Sequence, residues 1–179
     1  MPGQNNNNRG GGMMGGRGRG GPRRGGRDGA PRPKPEYDHK MVSIRRVARV
    51  MAGGRRFSFS VTVVAGNKLG KVGVGLGKAS DTSLAIDKAL NAAKKEMIQV
   101  PMTKSGTITG QADAKFKSAV VIMKPAPGKG LIAGSSVRTV LELAGVKDVN
   151  AKILSRSKNK LNNARAAIKA LQTLKPARA

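Results

Sequence analysis

From Phe57 to Val63 the chain alternates strictly. Phe57, Phe59, Val61 and Val63 fall on one face, and Ser58, Ser60 and Thr62 on the other. Period two is the signature of a strand with one covered face, so this segment is expected to turn both phenylalanines toward a core. Upstream, Met41 to Met51 mixes Val42, Ile44, Val47 and Val50 with Arg45, Arg46 and Arg49, and reads as an edge strand or a short irregular element. Ala52-Gly53-Gly54-Arg55 is the turn between them, where a Cβ on Gly54 is expected to clash as the chain reverses. Gly66-Asn67-Lys68-Leu69-Gly70 reads as a hairpin loop. Lys71 to Leu76 alternates again, with Val72, Val74 and Leu76 inward and Gly73 and Gly75 outward. Glycines in such a strand let another backbone come close. A helix follows, capped by Ser80 or Asp81: Ile86, Leu90, Ala93 and Met97 share a face with Ala85 and Ala89, opposite Asp87, Asn91, Lys94 and Lys95. Pro101 ends the segment.

A second unit begins after a linker at Thr103–Gly106, with a short strand expected at Thr107-Ile108-Thr109. Ala119 to Met123 is a continuous apolar run and reads as a central strand, followed by a loop from Pro125 to Gly130. Ser135 or Ser136 is expected to cap a second helix carrying Val137, Val140, Leu141 and Ala144, with Gly145 as its stop. Asp148 to Leu154 reads as a strand. Asn159 caps a last helix with Leu161, Ala164, Ile168 and Leu171, ending near Pro176. The order βββα then ββαβα describes two small α+β layers. They divide the chain into a tail over 1–36, a first domain over 37–103 and a second over 104–179. The tail is Gly, Arg, Asn and Pro with almost no apolar residues, a composition expected to stay disordered, and its Arg-Gly steps resemble tails that bind RNA loosely.

Charge then changes the picture. The 179 residues hold 35 Lys or Arg against 9 Asp or Glu, a net +26, and such an excess calls for a polyanionic partner, nucleic acid before an anionic membrane. Cysteine is absent, which excludes disulfides and thiolate zinc sites. His39 is the single histidine, read as a solvent-exposed linker residue, so neither a Ser-His-Asp triad elsewhere in the fold nor a multi-His metal site is expected. No apolar run approaches a membrane span, and the helices lack the large apolar face of a membrane-surface helix. The absence of a secretory signal fits a cytoplasmic protein.

The Gly-rich strand Gly73-Val74-Gly75-Leu76-Gly77-Lys78 imitates a nucleotide loop and fails: Ala79 stands where a P-loop needs Ser or Thr, and Lys78 where the dinucleotide fingerprint needs its third Gly. Acids are scattered, and Glu142 is balanced by Arg138 one helical turn before it. An enzyme is therefore not expected, nor a cofactor, nor a small-molecule substrate. The cations, by contrast, cluster by element. Arg45, Arg46 and Arg49 precede the first turn, and Arg55 and Arg56 follow it. Lys68 and Lys71 flank the second hairpin, and Lys94 and Lys95 sit on the polar helix face. Lys124 and Lys129 border the second unit's central strand, and Arg156, Lys158 and Lys160 precede the last helix. With Phe57 and Phe59 assigned to the core, recognition is expected to rest on phosphate and shape rather than on base stacking.

Four ordered blocks then carry a resemblance: Gly53-Gly54-Arg55-Arg56-Phe57-Ser58-Phe59, Lys71 through Ala79, Ile132-Ala133-Gly134, and Val140 through Val146. In this order and spacing, over about Tyr37 to Leu174, the chain resembles the bacterial-type small-subunit ribosomal protein five family. The resemblance implies an N-terminal double-stranded-RNA-binding-like domain with its first helix missing or reduced. It also implies a C-terminal four-stranded sheet with two helices and a left-handed βαβ crossover. By the same resemblance the protein binds small-subunit ribosomal RNA near the head–body junction and contacts ribosomal proteins four and eight. With proteins three and four it lines the messenger-RNA entry path, and it influences decoding accuracy. Its first hairpin loop would lie near the spectinomycin site.

The RNA-contacting set expected from the clustering of cations and the resemblance together is Arg45, Arg46, Arg49, Gly53, Gly54, Arg55 and Arg56 around the first turn, with Lys68, Lys71 and Lys78 on the second hairpin. Lys94, Lys95, Lys124 and Lys129 extend it, as do Arg156, Lys158, Asn159 and Lys160 before the last helix. The sequence departs from the family pattern at Ala52 (often Lys), Leu76 (commonly Tyr), Lys129 (Thr) and Lys160 (Pro), departures that suggest a divergent bacterial lineage or an organelle. The alternative reading is a free double-stranded-RNA-binding regulator that uses the first unit alone.

Overall fold

The computed structural model describes residues 36–175. All of the Gly/Arg-rich tail but Glu36 lies outside them, as does Pro176. Eleven elements follow one another: β1 (Asp38–Met51), β2 (Gly54–Gly66), β3 (Lys71–Ala79), α1 (Thr82–Lys95), β4 (Ile98–Gln99), β5 (Ala112–Phe116), β6 (Ala119–Pro125), β7 (Leu131–Ile132), α2 (Ser135–Ala144), β8 (Val149–Ile153) and α3 (Lys160–Thr173). They form two four-stranded sheets, ordered β1-β2-β3-β4 and β5-β6-β8-β7. The first is antiparallel throughout. In the second, β7 runs parallel to β8 and α2 makes the crossover between them.

The segment before the first turn is a full strand. β1 pairs with β2 from Asp38↔Gly66 to Met51↔Gly54, with one irregularity between Met41 and Ser43, and His39 is an exposed strand residue rather than part of a linker. β3 reaches β2 only as far as Phe59↔Ala79. Beyond that point Val47–Met51 and Gly54–Ser58 continue as a two-stranded ribbon.

α1 lies on the face of β2 and β3 that carries Phe59, Val61, Val63, Gly73, Gly75 and Gly77. A Cβ on Gly73, Gly75 or Gly77 would collide with the carbonyl oxygen of Ala93, Ala89 or Ala85 respectively. The helix answers with its smallest side chains: Ala85, Ala89 and Ala93 are its buried residues, while Ile86, Leu90 and Met97 are only partly covered. The glycines thus face the helix, and Val74 and Leu76 between them face the other way. Asp81 caps α1, its Oδ1 accepting from Thr82 N at 2.8 Å.

The opposite face of the first sheet supplies Val64, Val72 and Val74 to a core shared with the second half. Met123 of β6, Leu141 of α2 and Leu171 of α3 are fully buried in it. Covering such a side chain stabilises by about 1.5–3 kcal/mol. Leu76, expected inward, lies on that face beyond the reach of the second half and is exposed. Phe57, also expected inward, sits on the projecting ribbon outside both core clusters and is exposed.

Two expectations in the second half are corrected. Thr107–Thr109 is not a strand: Thr103 closes a turn on it, with Thr103 N donating to Thr107 O at 2.9 Å and the two hydroxyls 2.7 Å apart. Ile108 is buried there, with a single bridge to Met102. The strand comes later, where Ala112, Ala114 and Phe116 turn inward and Asp113 and Lys115 outward. Nor does Ser135 or Ser136 cap α2. The capping position is Gly134, with no side-chain bond, and Ser136 is already inside the helix and buried. Gly145 stops α2 in the left-handed conformation, φ 86°, as expected. Asn159 caps α3, its Oδ1 accepting from Leu161 N at 3.2 Å.

Candidate nucleic-acid interface

Strand register sorts the clustered arginines into two sets, because residues directly opposite share a face. Arg49 faces Arg56, and Arg45 faces Ser60, which in turn faces Lys78. Arg45, Arg49, Arg56 and Lys78 therefore lie on the sheet face away from α1, interleaved with Ser58 and Ser60, and all four cations are exposed. None of them takes part in an ion pair among the described residues. Fixed cations separated by hydroxyls can meet successive phosphates without folding back onto acids.

The α1-side face of the ribbon is different. Arg46 stacks on Phe57, its Cζ 3.9 Å from the ring centroid, and Arg55 and Val50 follow on the same face. The expectation that both phenylalanines are structural holds for Phe59, which packs against the α1 core, and fails for Phe57. An exposed ring already carrying a guanidinium presents a planar, cationic surface on which a base can stack.

The ribbon turns at Ala52-Gly53. Gly53 has φ 93° and Gly54 φ 144°, and a Cβ at either would meet nothing within 4 Å. The glycines serve backbone conformation here, and the clash expected at Gly54 does not arise.

The second hairpin is built for another purpose. Lys68, left-handed at φ 59°, donates its N–H to Leu143 O at 2.9 Å, and Gly70 N donates to Ala144 O at 2.9 Å. The carbonyls at the end of α2 would otherwise lack partners. Asn67 Oδ1 braces the loop by accepting from Leu69 N at 2.9 Å and Lys71 N at 3.0 Å. The Lys68 amine lies 2.6 Å from Asp38, which holds that carboxyl below its usual range. Lys68 is thus partly committed inside the protein, whereas Lys71 is exposed.

The remaining sequence-predicted residues are spread widely. Lys94 and Lys95 close α1, where cations favour the helix C-terminus, and Lys94 lies 6.0 Å from the Tyr37 ring. Lys124 is the penultimate residue of β6 and Lys129 sits in the loop after it, both exposed. Arg156, Lys158 and Lys160 are exposed on the segment entering α3, and Asn159 beside them is occupied as its cap. The expected Arg138–Glu142 pair forms at 2.8 Å, and sequence reasoning missed only Lys40, which joins it on Glu142 at 3.3 Å. Together, Arg138 first, they hold the Glu142 carboxyl below its usual range. The Arg138–Glu142 spacing is legible in the sequence, but Lys40 arrives from a strand a hundred residues away.

These features define an α+β protein whose chemistry is an array of exposed cations held on rigid sheet faces. Among the described residues no cluster of three or more His, Cys, Asp or Glu could hold a metal ion. Comparison with known proteins names the family. Residues 37–101 match the model for "Ribosomal protein S5, N-terminal domain" and residues 114–179 that for "Ribosomal protein S5, C-terminal domain". The chain belongs to the ribosomal protein S5 family of the bacterial type.

Among its relatives, the small ribosomal subunit protein uS5 of Synechocystis is 51% identical over 140 residues, 78% of this chain and 80% of that protein. The small ribosomal subunit protein uS5c of Cyanophora paradoxa is 52% identical over 143 residues, 79% and 84% respectively. The uS5 of Nostoc punctiforme is 50% identical over 147 residues, 82% and 83%. Family membership makes this chain a structural, non-enzymatic constituent of the small ribosomal subunit.

Proposed function

We propose that the protein binds small-subunit ribosomal RNA through the residues predicted above. The face bearing Arg45, Arg49, Arg56 and Lys78 is the primary phosphate contact, and the Arg46–Phe57 pair is a stacking contact beside it. Lys94, Lys95, Lys124, Lys129 and the Arg156–Lys160 segment engage further RNA, so that one rigid body bridges several RNA segments. The bridging stabilises the head–body arrangement, and through it the protein contributes to the messenger-RNA entry path and to translational accuracy. The observation that carries this reading is the unpaired cationic face of the β1–β2 ribbon, which extends past the sheet with no acid interleaved.

Contacts with ribosomal proteins three, four and eight belong to the same proposal. The uncovered face of the second sheet supports them: Val120 and Ile122 are half-buried and Leu154 exposed, with Lys115 and Lys152 at their flanks. Such a mixture suits a protein partner better than bare phosphate. The domain division at residues 103 and 104 is the working division between the two surfaces. A regulator using the first unit alone would have to expose Val64, Val72 and Val74, which the shared core covers. Localisation to the ribosome of the bacterial cytoplasm is part of the proposal.

Sedimentation of lysate on a magnesium-containing gradient, with and without ribonuclease, tests it. Comigration with small subunits that survives moderate salt and is lost on RNA digestion is expected. Protein at the top of the gradient, or released at modest salt, would overturn the reading in favour of loose polyanion binding.

A further inference from the structure

Away from the ribbon, three cations from three elements meet at one cleft. It lies at the N-terminal end of α2, has a volume of about 320 Å³, and is lined by Lys40, Arg138 and Lys160 together with Ser135, Ser136 and Glu142. Two independent features mark it. The first is that α2 begins without a side-chain cap. Its first intrahelical bond runs from Arg138 N to Gly134 O at 2.7 Å, so the N–H groups of Ser135, Ser136 and Val137 have no helical carbonyl to bond. Such a helix start attracts anions. The second is Ser136 itself. It lines the cleft, is 1% exposed, and its hydroxyl has no hydrogen-bond partner.

A buried hydroxyl without a partner is destabilising, and here it stands beside unpaired N–H donors and a lysine. Glu142 does not cancel the charge. It is one carboxylate against three cations, and it lies about two turns along α2 from the serines.

We propose that this cleft is a phosphate-binding site. The phosphoryl group is held by the first-turn N–H groups of α2 and the Ser136 hydroxyl, with Lys160 as its principal counter-charge. Its source in the particle is a backbone phosphate of RNA; that assignment of source rests on the RNA-binding reading above, whereas the site does not.

The test uses the full chain. Inorganic phosphate is titrated at constant ionic strength while the backbone amide resonances are followed, because only a residue-resolved signal separates this cleft from the many arginines elsewhere. Saturable shifts at Ser135, Ser136 and Val137 are expected. Ser136→Ala and Lys160→Gln should each weaken them about tenfold, the effect of losing one charge-assisted bond. In phosphate-free buffer Ser136→Ala should keep its melting temperature or gain a little.

Absence of those shifts in the wild-type chain, or Ser136→Ala binding phosphate like wild type, overturns the site. A second arm measures the salt dependence of binding to a small-subunit ribosomal RNA transcript, where Lys160→Gln should lower the slope by about one. An unchanged slope with the phosphate shifts intact overturns RNA as the source and assigns the cleft to free phosphate. If wild-type protein does not bind the transcript while the amides still respond to phosphate, the RNA-binding reading fails and the site stands.

Discussion

The two hairpins of the first sheet both turn on glycine, and for opposite reasons. At Gly53 and Gly54 an added Cβ would meet nothing within 4 Å and only the backbone angle demands glycine. At the second hairpin crowding decides: a Cβ on Gly66, whose φ is ordinary, would strike the carbonyl of Leu143, and one on Gly145 across the joint, left-handed at φ 86°, would strike the carbonyl of Lys68. The first hairpin projects its cations outward. The second ties the first sheet to the end of α2 through two backbone hydrogen bonds. On the proposed reading one is an instrument of contact with RNA, while the other fixes the internal geometry, so mutations of similar chemistry should have separable consequences.

The sharpest break is Gly145→Ala. It combines a left-handed φ of 86° with a backbone collision, and is expected to lower stability by about 3 kcal/mol in urea unfolding. A loss below roughly 1 kcal/mol would mean that the joint yields rather than fixes. Gly54→Ala should be milder, about 1–2 kcal/mol, because only the angle is violated; an effect equal to that of Gly145→Ala would erase the distinction between the hairpins.

Arg49→Gln with Arg56→Gln should leave the melting temperature unchanged and lower the salt slope of ribosomal RNA binding by about two. Unaltered slope with weakened folding would move those arginines from the interface to the scaffold.

The smallest effect concerns Glu142. Its carboxyl is held below the unfolded value, so its contribution is present at neutral pH, above the unfolded pKa, and is lost as pH falls through the depressed folded value. The group is partly exposed and screened, so Glu142→Gln should remove only about 0.5 kcal/mol at pH 7 and flatten the acid limb of the stability curve. A variant as acid-sensitive as the wild type would assign that limb to other carboxylates.

Periodicity carried most of the fold. The strands at β2, β3, β6 and β8, the stop at Gly145 and the caps at Asp81 and Asn159 are all legible, because each follows from local chemistry. The failures are of two kinds. Phe57 and Leu76 lie on faces that alternation assigns correctly, but cover runs out before it reaches them, and how far a neighbour extends is tertiary information. β5 was overlooked because Ala112 and Ala114 are weak apolar markers, while Thr107-Ile108-Thr109 offered a stronger β signal that the Thr103 turn overrides. For the interface, the clustering of cations was visible but their division between two faces was not. The division depends on register, and a one-residue shift would exchange the sets. The cleft at α2 was hidden because Ser135 and Ser136 resemble a cap, and only the helix start at Gly134 turns Ser136 inward.

The glycine–alanine seam between β3 and α1 has a thermal consequence. Where Gly73, Gly75 and Gly77 meet Ala85, Ala89 and Ala93, the layer closes by backbone approach and removes little hydrocarbon from water. The heat-capacity change of unfolding grows with the apolar area exposed, averaging about 12–15 cal/mol/K per residue in ordinary domains. This seam should contribute less than its share, giving the first layer a flatter dependence of stability on temperature than the core behind it, which buries Ile108, Met123, Leu141 and Leu171. The part of the molecule that holds the cationic ribbon would then change least between a cold cell and a warm one.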